Sequence, residues 1–181
     1  MPGYVIHLAV AEKYIEKHKN DIENYNEFIE GVIFPDSIKD KLQTHFGNGS
    51  SKSNLVKFLD KYSLDSSFNK GYFIHLLTDY LFYNKYIDTF SNDIYNDYDI
   101  LNKELINKYH VTIPDKVKNQ VFFKDTGSLK LLSMNLVDSL INEISNLDIN
   151  MIAEEIKNNP KKWTNFRELK KIWLFDIKFH I

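Results

Sequence analysis

Along most of the chain apolar residues recur every three or four positions, and polar stretches rich in Gly, Pro, Ser and Asn separate these runs. That periodicity belongs to a protein built from helices. A first helix is predicted from about Tyr4 to Lys19. A second, IENYNEFIEG, is expected to stop near Gly31, where glycine readily takes the left-handed cap conformation, and VIFPDS should interrupt helical structure after it. Beyond the polar GNGSSKS a short helix is expected at NLVKFLDKY, then a long one from about Ser67 to Phe90. Further helices are predicted at YDILNKELINKY, at SLKLLSMNLVDSLINEISNL, at INMIAEEIKNN behind an Asp148 cap, and at FRELKKIWLFDI. The strand-like YHVTIP is too short and isolated to build a sheet, and Pro114 ends it. The expected fold class is all-α, a multi-helix bundle forming one domain over residues 1–181.

The long helix carries KGYFIHLLTDYLFY, in which Tyr72, Phe73, Ile74, Leu76, Leu77, Tyr80, Leu81 and Phe82 surround His75 and Asp79. A helix apolar on more than one face is a central one. His75 and Asp79, four positions apart, project from successive turns of the same face. Two readings follow: a pair that satisfies itself inside the core, or two ligands of a common ion. His7 raises the same question, because YVIHLAV surrounds it with apolar residues and charge begins only at Glu12. Asp36 follows Pro35 and either caps the next helix at SIKDKLQ or points inward as a ligand. His45, just before the glycine-containing turn GNG, is either a loop histidine or a further ligand.

Composition narrows these choices. A hydrophobic content of 43% with 14% aromatics is ample for a core, so buried polar groups need an explanation. The formal net charge of -2, with both signs interspersed, argues against a long nucleic acid or an anionic membrane as partner and favours a small ligand. Cysteine is absent, so disulfides and thiolate metal sites are excluded, and any transition metal must rely on histidine and carboxylate. The opening MPGYVIHLAVAEKYIEKH lacks a basic leader and reads as a helix of the folded protein; no segment approaches the roughly 20 apolar residues of a membrane span. A cytoplasmic location is expected. On this background His7, Asp36, His45, His75 and Asp79 assemble three imidazoles and two carboxylates from separate segments. Such a donor set suits zinc, with manganese or iron as alternatives, and helices converge ligands of this kind from their inner faces. A metal lowers the pKa of a bound water toward ~7, and two metals stabilise both the attacking and the leaving oxygen of a phosphate ester.

The segments IHLAVA, FIEGVIFPD, THFGN and GYFIHLLTDYLF together resemble the zinc-dependent phospholipase C family, to which the single-strand-specific fungal nucleases are distantly related. The resemblance covers about the first half of the chain. It implies an all-helical phosphodiesterase with clustered zinc, in which Asp36, His45, His75 and Asp79 hold one ion. Asp79 would then bridge to a second ion bound by His7. It also implies a catalytic role for Asp36, orienting or deprotonating the attacking water. The family's third ion uses a further histidine and an H-x-x-x-E pair, and nothing here matches, because only His110 and His180 follow Asp79. Asp97 and Asp99 in NDYDILN either rebuild that site or lie at a helix start, and the helix start is the more ordinary role. The secreted relatives also use the terminal amine and carbonyl of their first residue; removal of Met1 would leave Pro2 a few residues before His7. One or two ions are therefore expected.

The expected function is hydrolysis of a phosphate ester by a metal-bound water, on a lipid headgroup, nucleotide or other small phosphodiester. An HD-type phosphohydrolase is disfavoured because no adjacent His-Asp doublet occurs. The non-enzymatic alternative is a helical protein with a structural metal clamp, or a binding module without an open coordination position. His18, in IEKHKND, is expected to be solvated, and His110 to favour a helix C-terminus. Phe46, Tyr80, Phe82 and Tyr83 either line a substrate cleft or, as helical spacing more often means, belong to the core. The terminal KKIWLFDIKFHI is expected to dock its apolar side on the bundle.

Overall fold

The computed structural model describes residues 2–171. In chain order the helices are α1 (Tyr4–Lys17), α2 (Tyr25–Ser37), α3 (Lys41–His45), α4 (Leu55–Lys61), α5 (Ser67–Leu81), α6 (Asp93–Tyr109), α7 (Met134–Ser145), α8 (Ile149–Asn158) and α9 (Pro160–Trp163). Two short strands, β1 (Thr89–Phe90) and β2 (Lys170–Lys171), pair in parallel with Thr89 opposite Lys170. The protein is thus mostly helical. Among the described residues no helix is long and apolar enough to cross a membrane.

Local chemistry explains most helix starts. Asn24, Asp40, Asn54, Ser66, Ser133 and Asp148 each accept a backbone N–H of the first turn on a side-chain oxygen. Burial explains the arrangement. α1 and α5 hide residues around nearly their whole circumference, as central helices must. α7 and α8 each bury a stripe, Val137, Leu140, Ile141 and Ile144 on one and Ile149, Ala153 and Ile156 on the other. α1 packs against α2, α5, α6 and α7, while the most extensive helix pair is α2 with α5.

That pair depends on two glycines. A Cβ placed on Gly31 would stand 2.0 Å from the carbonyl oxygen of Phe68, and one on Gly71 would stand 2.0 Å from that of Phe28. The backbones of α2 and α5 therefore touch where side chains would hold them apart. This corrects the expected helix stop at Gly31: α2 continues through Gly31 and Pro35 to Ser37. Gly31 serves close approach rather than a left-handed cap. Pro35 is tolerated in the last turn, where it forgoes a single ladder hydrogen bond.

Other expected boundaries move because of tertiary contacts. α5 ends at Leu81 rather than Phe90 and runs into a π turn, Phe82–Tyr86. There Asn84 donates to the Tyr80 carbonyl and accepts the Arg167 amide, and the Arg167 guanidinium donates to the Ile87 carbonyl. The same tether draws residues 165–169 out of helical form and leads them into β2, so the helix expected at FRELKKIWLFDI does not form over its described part. The remainder of that segment, and most of KKIWLFDIKFHI, lies outside the described residues. YHVTIP forms no strand, since His110 adopts φ 53° and caps α6. Phe82 and Tyr83 are core residues, and the Phe46 ring packs with Phe58, Tyr62 and Tyr72.

Because the obstacle at Gly31 is backbone rather than a flexible side chain, Gly31→Ala should lower stability by about 3 kcal/mol, the upper end of overpacking effects. Urea unfolding of the variant against wild type measures this.

Candidate metal centre

The five sequence-identified residues reach the interior from four helices. His7 lies one turn into α1, Asp36 in the last turn of α2 and His45 at the end of α3, while His75 and Asp79 share the inner face of α5. α3 is held in place by Thr44, whose hydroxyl donates to the Pro35 carbonyl and whose own carbonyl accepts the Tyr72 hydroxyl. Phe46 then takes a left-handed conformation, φ 57°, and terminates α3 directly after His45. All five are buried, with His45, His75 and Asp79 completely so. His45 is therefore no loop histidine, and Asp36 caps nothing; Asp40 caps α3 instead.

The side chains converge. His45 Nε2 stands 3.0 Å from Asp79 Oδ2 and 3.6 Å from Asp36 Oδ1. His75 Nε2 lies 3.6 Å from Asp79 Oδ2, 3.9 Å from Asp36 Oδ1 and 3.4 Å from His45 Nε2. His7 Nε2 lies 3.5 Å from Asp79 Oδ1, and its ring stacks on that of His75 with centroids 3.8 Å apart. The two oxygens of Asp79 thus face different histidines. Two metal-sized groups result, His7 with His75 and Asp79, and Asp36 with His45 and His75.

Backbone carbonyls orient two of the imidazoles. His75 donates its Nδ1–H to the Val32 carbonyl at 2.7 Å, and His45 donates its Nδ1–H to the Lys41 carbonyl at 3.1 Å. Both Nε2 atoms consequently face the cluster. Meanwhile both ring nitrogens of His7, Asp36 Oδ2 and Asp79 Oδ1 are buried without a hydrogen-bond partner among the described residues. Unpaired buried polar atoms are destabilising, so four of them on three neighbouring residues call for a partner that binds them.

The electrostatics point the same way. Burial opposes charge on Asp79, yet the hydrogen bond from His45 and the close imidazoles of His7 and His75 hold it well below the usual carboxylate range. Burial also opposes charge on His45, but the hydrogen bond and charge of Asp79, with Asp36 behind it, raise its pKa overall. His45 therefore holds protons on both nitrogens more firmly than an ordinary histidine, one toward Lys41 and one toward Asp79. His75 is held well below its ordinary value by burial and by His7, against the pull of Asp79, and stays neutral with its Nε2 lone pair available. A cation replacing the His45 proton would meet the carboxylates of Asp36 and Asp79 and the imidazoles of His45 and His75, with His7 on the other oxygen of Asp79.

Sequence reasoning missed two supporting groups. Lys41 pairs with Asp36 Oδ1 at 3.0 Å and also donates to the Asp36 carbonyl. Its position four residues before His45, on a short capped helix, was a usable signal. Ser53 donates to Asp79 Oδ2 at 3.1 Å from a loop, and no local pattern announces it.

Other histidines and acids lie elsewhere. His18 is half-buried rather than solvated, stacked on Tyr14 with its Nε2 3.0 Å from the Ser145 carbonyl. His110 is exposed at the C-terminus of α6, as expected. Asp97 and Asp99 join neither metal-sized group. Asp97 is fully buried, but its carboxylate accepts the backbone N–H groups of Lys130, Leu131 and Leu132 at 2.7 to 3.1 Å. It is neither a metal ligand nor a helix-start residue; it fixes the loop before α7, which is why SLKLLS is not helical.

No family model, no curated protein and no solved structure matches this chain. The chemistry of the centre is therefore read from its own geometry.

Since an amide offers one acceptor where Asp97 offers two, Asp97→Asn should lower stability by about 2 kcal/mol. Urea unfolding checks the loss, and unchanged NMR signals of the His7, His45 and His75 rings would show that the cluster is independent of it.

Proposed function

We propose that this chain is a metal-dependent hydrolase of phosphate esters that holds one or two zinc ions with His7, Asp36, His45, His75 and Asp79. The observation that carries the proposal is the orientation of the histidines. Val32 and Lys41 carbonyls occupy the Nδ1 positions of His75 and His45, which turns both Nε2 atoms toward Asp36 Oδ1 and Asp79 Oδ2, while Asp36 Oδ2, Asp79 Oδ1 and both His7 nitrogens are buried without partners among the described residues. Outer hydrogen bonds of this kind fix the tautomer and aim of metal-ligating histidines. The donor set, nitrogen and carboxylate without sulfur, fits zinc, with manganese and iron next. The four segments that resemble zinc-dependent phospholipase C supply these same five residues, which supports the phosphodiesterase reading.

Zinc held by these five residues would supply Lewis acidity toward a phosphoryl oxygen and would lower the pKa of a water. The protein's own residues do the rest. Asp79, held well below the usual carboxylate range, stays ionised and serves as a fixed negative charge. Asp36 has one oxygen engaged by Lys41 and the other unpartnered, so Oδ2 is the atom placed to orient a water and accept its proton. Lys41, partly exposed beside Asp36, offers a positive charge at the edge of the site where a phosphate would approach. The substrate class that suits this arrangement is a small phosphodiester or lipid headgroup.

The complete burial of His45, His75 and Asp79 favours one further reading, a structural metal clamp. A clamp retains metal without turnover or phosphate binding; a hydrolase shows both.

Elemental analysis of the purified protein should find one or two zinc ions per chain, lost in His75→Ala and in Asp36→Ala while circular dichroism stays helical. A folded wild type that takes up no metal on reconstitution would sink the proposal. On the zinc-loaded protein, Asp36→Asn should slow hydrolysis of bis(4-nitrophenyl) phosphate by about 100-fold or more.

Metal uptake must also displace the proton that His45 holds above the ordinary histidine range. Apparent zinc affinity, measured by chelator competition, should therefore rise steadily from about pH 6 to about pH 8, with competition persisting above ~6.5.

A further inference from the structure

The loop between α3 and α4 brings one hydroxyl to the cluster and holds it there. Phe46 leaves α3 in the left-handed conformation, and Gly47 lies so close to the returning chain that an added Cβ would stand 2.1 Å from the Lys52 carbonyl oxygen. A single 3-10 turn, Ser50–Lys52, closes on the Gly49 carbonyl and packs against α3 and α5. Directly after it the Asn54 amide donates back to the His45 carbonyl at 2.9 Å, and the Asn54 side chain caps α4. Between turn and cap sits Ser53, which has no exposed surface and donates to Asp79 Oδ2 at 3.1 Å. Backbone closure on both sides thus fixes a hydroxyl against a carboxylate 26 residues further along the chain.

Three groups address Asp79 Oδ2: His45 Nε2 at 3.0 Å, Ser53 Oγ at 3.1 Å and His75 Nε2 at 3.6 Å. Oδ1 faces His7 Nε2 at 3.5 Å. Which oxygen faces which imidazole depends on the torsion of the carboxylate, and that torsion is broad in an unconstrained aspartate. A donor anchored on one oxygen removes the freedom. A cation at His45 Nε2 would take up the lone pair of that nitrogen, which then no longer donates to Asp79. Among the described residues Ser53 is the donor on Oδ2 that stays. A carboxylate oxygen has about two lone-pair directions. With one on Oδ2 given to Ser53, the other is left for an ion beside His45 and His75, and Oδ1 is left for an ion beside His7. Lys41 makes the corresponding contact on Asp36 Oδ1 with a charged group from the rim. Ser53 is neutral and enclosed, so it gives direction without cancelling the charge that attracts the metal.

We propose that Ser53 is a positioning residue of this centre: its hydroxyl holds the Asp79 carboxylate so that Oδ2 serves one ion and Oδ1 the other, bridging two ions rather than chelating one. The inference rests on the zinc-binding hydrolase reading above, and it gives the closed loop after α3 a purpose.

The test is titration with zinc and with cobalt(II) in competition with a chelator. Wild type should take up two zinc ions per chain. Ser53→Ala should bind zinc about tenfold or more weakly, the usual effect of losing an outer hydrogen bond to a metal ligand. The visible absorption of its cobalt(II) form should differ from that of wild type, because Asp79 can then turn both oxygens toward one ion. Asn54→Ala removes the α4 cap beside the same loop and leaves the hydroxyl in place. Its unfolding midpoint should fall, while zinc affinity and cobalt spectrum stay as in wild type. Three results each overturn this inference and leave the hydrolase reading standing: a single zinc ion per wild-type chain, undiminished zinc affinity with an unaltered cobalt spectrum in Ser53→Ala, or an equal loss of zinc affinity in Asn54→Ala. A folded wild type that binds no zinc overturns both.

Discussion

The distance between α2 and α5 governs everything that the centre can do. Gly31 and Gly71 bring the two backbones into contact, each glycine lying against a carbonyl of the facing helix. A side chain at either position would collide with that carbonyl and force the helices apart. Asp36 lies five residues beyond Gly31 on one helix, and His75 and Asp79 lie four and eight beyond Gly71 on the other. Close approach at the glycines therefore carries forward into close approach of the acids and imidazoles. It also lets the Val32 carbonyl reach His75 Nδ1 at 2.7 Å and set the direction of that ring.

Two fully buried aspartates in this protein illustrate different solutions to one physical problem, the cost of taking a carboxylate out of water. Asp97 is surrounded by backbone N–H groups from residues 130–132, and its hydrogen-bonding capacity is used. Asp79 receives a proton donor from His45 and another from Ser53 on one oxygen, while Oδ1 has only His7 at 3.5 Å. The first arrangement is complete and holds a loop. The second is incomplete on the side that faces His7, whose own ring nitrogens are unpaired among the described residues. Burial by itself did not separate these roles; the state of each oxygen did.

His45 links the electrostatics of the cluster to its chemistry. Its second proton sits between imidazole and carboxylate, where a divalent cation would sit, and the same two aspartates that raise its pKa would bind that cation. Lys41 performs a similar service for Asp36 at the rim. Charge compensation of this kind lets a strongly acidic cluster exist inside a helical core without prior metal binding. His75, neutral and anchored from behind, needs no such compensation.

Much of the architecture was legible in the order of residues. Helix positions at α1, α4, α7 and α8 follow from apolar periodicity, and that of α8 also from the Asp148 cap, because caps and amphipathic stripes act over a few neighbouring residues. The five candidate ligands were legible too, since polar residues in apolar surroundings must face inward with a reason. What the sequence could not determine depended on groups far apart along the chain. The continuation of α2 through Gly31 required Phe68 to lie opposite, the end of α5 required Arg167 to reach Asn84, and the loop before α7 required Asp97. Local order fixes which residues are helical and which must be buried, because those preferences act between near neighbours. Which buried groups meet, and which are left unpaired, is decided by helix packing, because hydrogen bonds and charge pairs are satisfied in space rather than along the chain.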